Sequence, residues 1–272
     1  MQNQGTYNTG SIAVPAAFEE VFSHFYFAEN NTDQAITHTL LPSFQTMMAF
    51  SFGAPIVLTT REKDELVMDT CLVAGPIKQA FDYTLPPGAS LLVANFKDDA
   101  FSRFFGSAAF AQNFSTHPDT LLQDDCFTVL WKELCHIPAM EDRVNHLLAF
   151  CQPYLRNRHP IVEQIAGFND PNLSTVKEIS EKNQLSERSV QMHHKKYFGY
   201  SAKEIARYQR FLKAIEMIGA STGGNRKVDW FDIIEGCGYY DQSQLIHDFK
   251  HYLHLSPTQY LKFQQSICRQ RD

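Results

Sequence analysis

Two groups of side chains in the last third of this 272-residue chain have the types and spacing to read a nucleic acid. In the first, Arg188, Gln191, Met192, Lys195 and Lys196 follow Ser186; in the second, Gln242, Ser243, Gln244, His247 and Lys250 follow Asp241. An arginine presents a two-pronged donor to guanine O6 and N7, and a glutamine pairs a donor with an acceptor against adenine N6 and N7. Lysines neutralise phosphates and fix a helix on the duplex without reading sequence. Helical spacing turns Val190 and His194 inward on the first stretch and Leu245 and Phe249 inward on the second, which leaves the polar set facing outward. Ser186, at the head of the first stretch, is counted with them. An ordinary solvated helix face is the competing reading of the same residues.

His247, His251 and His254 stand at i, i+4 and i+7, a spacing that can also gather metal ligands. Asp248 is the only carboxylate close by and points elsewhere, so exposed or partly packed histidines are the expectation, with no metal and no cofactor. His24, His38, His117, His136 and His146 form no H-x-H pair, and the chain has neither a Gly-rich phosphate loop nor a G-x-S-x-G elbow. Catalysis is therefore not expected. The six cysteines form no C-x-x-C pair and read as isolated thiols in a reducing compartment.

The elements that must position the polar sets are visible as a repeat. Shifted by 55 residues, the tail aligns with itself: Ile179 falls on Ile234, Ser186 on Asp241, Val190 on Leu245, Lys195 on Lys250, Tyr197 on Tyr252 and Ser201 on Ser256. Each copy reads as a short helix, a tight turn, a second helix and a capped third one: 175–183, 187–198 and 201–219, then 229–236, 241–253 and 257–265. Thr175 with Glu178 and Ser201 with Glu204 have the spacing of capping boxes; Asp241 reads as an N-cap, and Ser256-Pro257 opens the last helix. A helix reached through a short turn is the geometry that lays a recognition helix in the major groove, and the long helix 201–219 would join the two units.

The first half differs. Apolar runs at Thr46–Phe52, Ile56–Thr60 and Ser90–Phe96, bounded by Gly53-Ala-Pro55, Gly75-Pro76 and Pro86-Pro-Gly88, predict strands; from about Asp98 the spacing becomes helical, over Leu121–His136 and Met140–Leu155. Its aromatics, among them Phe44, Phe50, Phe52, Phe81, Tyr83, Phe96, Phe101, Phe104, Phe105 and Trp131, suit either a core or the lining of a small-molecule pocket, core being the default. A helical stretch ending at Gly167 and an Asn169-Asp-Pro-Asn172 break mark the linkage, and the expected domains are 1–152 and 153–272. Residues 1–152 hold 7 Lys+Arg against 17 Asp+Glu, a net of −10, whereas 153–272 hold 17 against 13, a net of +4. A basic module attached to an acidic one is expected when only one part meets phosphate. With no apolar run of about 18 residues and no secretory pattern at the N-terminus, the expected compartment is the cytoplasm, away from the membrane.

The stretch Asp229–Phe263 resembles the AraC/XylS family signature, with its G-Y-x-D turn, F-K pair and S-P-x-x-Y ending. Leu185-Ser-x-Arg188 and Gly199-Tyr-Ser201 fit the first unit of the same family, so the resemblance covers about residues 160–265. It implies a transcription regulator with a C-terminal double helix-turn-helix behind a variable sensor or dimerisation domain. Residues 1–152 are more weakly similar to the cupin-like sensor domains of such regulators. The implied fold is α+β: a β-rich, cupin-like barrel with helices, then an all-α domain of two helix-turn-helix units joined by a long helix. The implied partners are double-stranded DNA, a small-molecule effector, RNA polymerase and a second copy of the chain. Four positions depart from the family pattern: Met192 and His247 stand where Arg is common, His194 where Phe is, and His254 where Gly is. A degenerate helix-turn-helix serving as a ligand-binding or interaction module is the alternative, and an acidic or apolar surface across both recognition helices would favour it. A metal-dependent cupin enzyme fused to the tail is a third, weaker reading.

Overall fold

The computed structural model describes residues 5–106, 115–167, 175–223 and 228–262. The chain forms two compact units, residues 1–201 and 202–272. The fold is α+β, with a β-rich part followed by helices.

In the first unit the described strands form two antiparallel sheets. One runs in the order β1 (Tyr7–Ile12), β2 (Phe22–Asn30), β9 (Ala89–Phe96), β4 (Thr46–Gly53), β7 (Cys71–Ala74) and β10 (Ser115–Thr116). The other runs β3 (Ile36–Leu40), β8 (Phe81–Leu85), β5 (Ile56–Thr59) and β6 (Glu65–Met68). The three apolar runs of the sequence are β4, β5 and β9. The turn after β4 needs a glycine at 53: φ is +74°, and a Cβ there would lie 2.2 Å from the Gly88 carbonyl oxygen.

β4 and β9 are apolar without alternation because both of their faces are buried. Side chains alternate along a strand, so Met47, Ala49, Leu91 and Val93 face the second sheet. Met48, Phe50, Phe52, Leu92, Ala94 and Phe96 pack on the other side, against the helices. Those helices are α1 (Ala100–Phe105), α2 (Pro118–Leu122), α3 (Cys126–Cys135) and α4 (Met140–Cys151). Most of the aromatics join this helix-side core, which also holds Phe50: Phe101, Phe104 and Phe105 gather around Phe96, and Phe127 packs on Phe105. Trp131 ties α3 to the sheet by donating from Nε1 to the Ser51 carbonyl at 2.7 Å. The helix expected over Leu121–His136 is interrupted. Gln123 turns left-handed at φ +54°, and Asp119 accepts from the Phe127 and Thr128 amides at 2.8 and 3.0 Å, which starts α3 afresh.

The unit continues with α5 (Pro160–Ala166), α6 (Thr175–Asn183) and α7 (Glu187–Phe198). Gln164 on α5 and Asn183 on α6 exchange amide hydrogen bonds at 3.3 and 2.9 Å, which holds the first helix of the pair. The Asn169–Asn172 break and the Thr175 side chain lie outside the described residues.

The second unit holds α8 (Ala202–Gly223), α9 (Trp230–Cys237) and α10 (Gln242–Leu253). At 1.5 Å per residue α8 is about 33 Å long. Phe211 on α8 packs on Phe249 and Tyr252 of α10 with ring centroids 5.1 and 4.7 Å apart. A further helix starts at 257 after a complete capping box: Ser256 Oγ accepts from the Gln259 amide at 3.2 Å, and Gln259 Oε1 accepts from the Ser256 amide at 2.7 Å. Its expected end at 265 lies outside the described residues.

The repeat is present with one adjustment. The first helix of each pair ends in the same way: the Leu185 amide donates to the Ser180 carbonyl, and the Tyr239 amide to that of Ile234, both at 2.9 Å. These pairs are 54 residues apart, whereas the caps Ser186 and Asp241 are 55 apart. The second turn is one residue longer, so the partner of buried Ile179 is Ile233, not Ile234.

His254 ends α10 at φ +58°, the conformation Gly199 supplies after α7 at φ +76°. A side chain there carries left-handed strain that glycine avoids. His254→Gly is expected to raise stability by about 0.5–1 kcal/mol, read as a higher urea midpoint at unchanged slope. An unchanged midpoint would mean that the imidazole compensates for the strain.

Candidate nucleic-acid interface and cavity

On α7 the inward anchors are Val190, His194 and Phe198, all buried. His194, at the position commonly Phe in the family pattern, keeps the packing and gains a bond. Its ring lies 5.0 Å from that of Phe198, and Nδ1–H donates to the Tyr200 carbonyl at 2.7 Å. Ser186 caps the helix by accepting from the Ser189 amide at 3.2 Å, so its hydroxyl is engaged in the turn. Arg188, Gln191, Met192, Lys195 and Lys196 are all exposed, and Met192 keeps 63% of its surface open. On the inner flank His193 stacks on Tyr197 and sits 5.5 Å from His159, ring to ring. Burial, with His159 and Lys196 close by, holds the His193 imidazole below its ordinary range.

On α10 Leu245, Phe249 and Tyr252 are buried, while Gln242, Ser243, His247 and Lys250 are exposed. Asp241 caps the helix by accepting from the Gln244 amide at 2.8 Å. Gln244 is half-buried, and its Oε1 accepts from the Tyr240 amide at 3.0 Å; this amide holds the turn. His247 Nδ1 accepts from Arg207 Nη2 at 2.9 Å, which leaves Nε2–H as an outward donor on a ring 73% exposed. The helix ends at Leu253, so His254 leaves the face shared by His247 and His251.

Arg207 and Arg210 escaped the sequence reading. Both reach from α8 to Asp248, which is only 1% exposed on α10, with Nε–Oδ1 at 2.6 Å and Nη2–Oδ2 at 3.4 Å. The aspartate lies 38–41 residues from its partners, beyond the reach of any local pattern.

Residues 179–262 match the family model of a helix-turn-helix domain. The chain carries a helix-turn-helix domain. The match opens inside α6 and runs past α10, so both candidate recognition helices belong to it. Among solved structures, the chain is similar to ToxT from Vibrio cholerae at 14% identity, over 95% of this chain and 98% of that one, with a TM-score of 0.38. It is also similar to unsaturated fatty acid-bound wild-type ToxT from Vibrio cholerae strain SCE256, at 11% identity over 96% and 97%, with a TM-score of 0.39. Similarity to the AraC-like transcriptional activator CuxR is 10% in identity over 76% of this chain and 86% of that one, with a TM-score of 0.26. No curated protein sequence matches the chain.

Ahead of the helix-turn-helix domain, the two sheets line a cavity of about 340 Å³, partly open to solvent, to which every described strand contributes. Of the aromatics singled out in the sequence, Phe81 and Tyr83 line it; the wall is otherwise largely aliphatic, with Met47, Ile56, Leu72 and Val93 among its members. Ser43 and Gln45 also line it. Phe44, between them, is buried at φ +56° and packs edge-on against Tyr200 at 5.2 Å. The carbonyl of Tyr200 is the one that His194 of α7 holds. Burial, with Asp98 nearby, pushes the Tyr200 phenol up to about 12, so it remains neutral.

One arrangement in the first unit has the outline of a nucleophilic triad. Cys71 Sγ lies 3.3 Å from His117 Nε2, with Asp119 behind the imidazole. The tautomer is wrong for catalysis. His117 Nδ1 accepts from the Asp119 amide, so Nε2 carries the proton and cannot take one from the thiol. Burial and the carboxylates of Asp119 and Asp69 push the Cys71 thiol up to about 12. Among the described residues, no helix is long and apolar enough to cross a membrane.

Proposed function

We propose that this chain is a sequence-specific, DNA-binding transcriptional regulator and not an enzyme, with residues 1–152 sensing a small molecule and residues 153–272 binding double-stranded DNA. The observation that carries the reading is the pair of capped helices within a helix-turn-helix domain, each presenting a polar or basic face at equivalent positions. The outward residues of α7 include one acid, Glu187, beside Arg188, Lys195 and Lys196; those of α10 after its cap include none. Such faces favour DNA over the degenerate interaction module. Arg188 is assigned to guanine, Gln191 to adenine, Met192 to a thymine methyl and His247 Nε2–H to a base or phosphate acceptor. Lys195, Lys196 and Lys250 take phosphates, Gln242 and Ser243 complete the second face, and Ser186 and Gln244 act by holding the turns. Regulation in the cytoplasm, with RNA polymerase and a second copy of the chain as further partners, completes the reading.

Sensing is supported by the three-residue segment Ser43-Phe44-Gln45. Its outer members line the cavity, and its centre packs on the residue that follows α7 and Gly199. Rearrangement of the cavity wall therefore bears directly on the seating of the first recognition helix.

The test is a binding titration on fragments upstream of the protein's own and neighbouring genes, at several salt concentrations. Arg188→Ala with Gln191→Ala is expected to weaken specific binding about 100-fold, at ~1–3 kcal/mol for each lost bidentate pair. Lys195→Ala should weaken all sequences alike and lower the salt slope by about one. Binding to none of these fragments even at low salt would sink the proposal.

A further inference from the structure

We infer that the cavity takes an uncharged, mostly aliphatic molecule with a hydroxyl or carbonyl end, seated on Asn95, and that it excludes carboxylates. This rests on the sensor reading above and names the class of effector.

One row of side chains crosses the floor of the larger sheet. His24 is in register with Asn95, Asn95 with Met47, Met47 with Ala74, and Ala74 with Ser115. At one end, Asn95 Nδ2 donates to His24 Nε2 at 3.1 Å, which leaves the imidazole proton on Nδ1, facing Ser23 Oγ at 3.0 Å. Ser23 in turn donates to the Asn95 carbonyl at 3.3 Å. Both ring nitrogens are thus used inside the network, and the histidine offers no proton to an anion without breaking it. Asn95 keeps its second amide hydrogen and Oδ1 for a ligand. At the other end of the row, Ser115 Oγ is buried without a partner among the described residues and supplies a second hydrogen-bonding point.

Charge is missing from the rest of the wall. Among the described residues that line the cavity there is no Lys, Arg, Asp or Glu. A carboxylate seated on buried Asn95 would lie there without a counter-ion, which costs far more than a neutral hydrogen-bonding group does. Beyond the polar row the surface is mostly apolar, with Ile56, Met68, Leu72 and Phe81, and its other polar groups, among them Gln45 and Tyr83, are uncharged. At the ~30 Å³ that a water-sized group occupies, 340 Å³ holds roughly eleven non-hydrogen atoms.

The full chain is titrated calorimetrically at pH 8 with 1-decanol, 2-decanone and decanoate, which match that size and differ in charge. Both neutral probes are expected to bind, and decanoate at least about 100-fold more weakly. Asn95→Leu should weaken the neutral probes by about 10-fold, the share of one hydrogen bond. Ala49→Leu, which fills the cavity from the same sheet, should abolish their binding. Both variants are checked by thermal melting, and the wild-type comparison of neutral and anionic probes stands if either fails to fold. Decanoate binding as tightly as 2-decanone, or neither neutral probe binding, would overturn the inference. Titrating DNA with and without 2-decanone in parallel separates the two claims: neutral binding with unchanged DNA affinity keeps the ligand class and sinks the sensor reading.

Discussion

Asp248→Ala is expected to destabilise the second helical unit by about 2–3 kcal/mol and to abolish its contribution to DNA binding. Removing one partner of a buried ion pair costs about 3–5 kcal/mol when the remaining charge is stranded. Here the charges left behind are Arg207 and Arg210, about 31% and 26% exposed in their side chains, so water recovers part of the loss. Arg207 also holds His247 Nδ1, and Arg210 lies over the Tyr239 ring at 4.6 Å. The truncation therefore loosens α10 against α8 and frees the His247 ring together. Asp248→Asn keeps the volume and one acceptor, and should recover about half the stability. Urea unfolding of both variants, beside a DNA titration, measures the two effects. A cost for Asp248→Ala below about 0.5 kcal/mol, the level of an exposed pair, would refute the argument.

The second large effect is expected at Phe44. Phe44→Ala should cost about 3 kcal/mol, as truncation of a buried aromatic does, because its ring is buried and packs on Tyr200. Its functional signature differs from that of a core change elsewhere. The cavity is lined by Ser43 and Gln45 rather than by the Phe44 ring, so cavity binding should survive in the folded fraction. What should fall is the factor by which a cavity ligand changes DNA affinity, and by linkage the factor by which DNA changes ligand affinity must fall equally. Phe101→Ala, in the helix-side core, serves as the control: comparable destabilisation with that factor intact. Equal loss in both variants would assign Phe44 to stability alone.

The legible parts of the sequence were those governed by short-range chemistry. Ser186, Asp241 and Ser256 could be read as caps because a cap involves residues three positions apart. β4 and β9 stood out because burial on both faces removes the polar alternation. β3, with every second residue half-exposed, and the two-residue β10 left no such mark. Near the candidate site the repeat located both recognition helices, but its single offset hid the extra residue in the second turn. The role of Gln244 in holding its turn was hidden as well, since a glutamine beside a recognition helix reads equally well as a base contact. The Asp248 cluster and the Phe44–Tyr200 contact join residues far apart in the chain, which only the fold brings together. The aromatic content suited either a core or a pocket lining, with core the default, and strand alternation sends most of the rings to the helix-side core.

That alternation has a consequence for how such a protein diversifies. In β4 and β9 the odd-numbered positions 47, 49, 91, 93 and 95 shape the cavity, and the even-numbered ones between them hold the helices. Substitutions at the odd positions can resize or re-polarise the cavity while the helix-side core stays intact. Selection for a new effector and selection for a stable scaffold thus act on interleaved but separate sets of residues. The two sets exchange places only if a strand slips by one residue, which would drive Phe50 into the cavity and expel Met47 and Ala49 toward the helices.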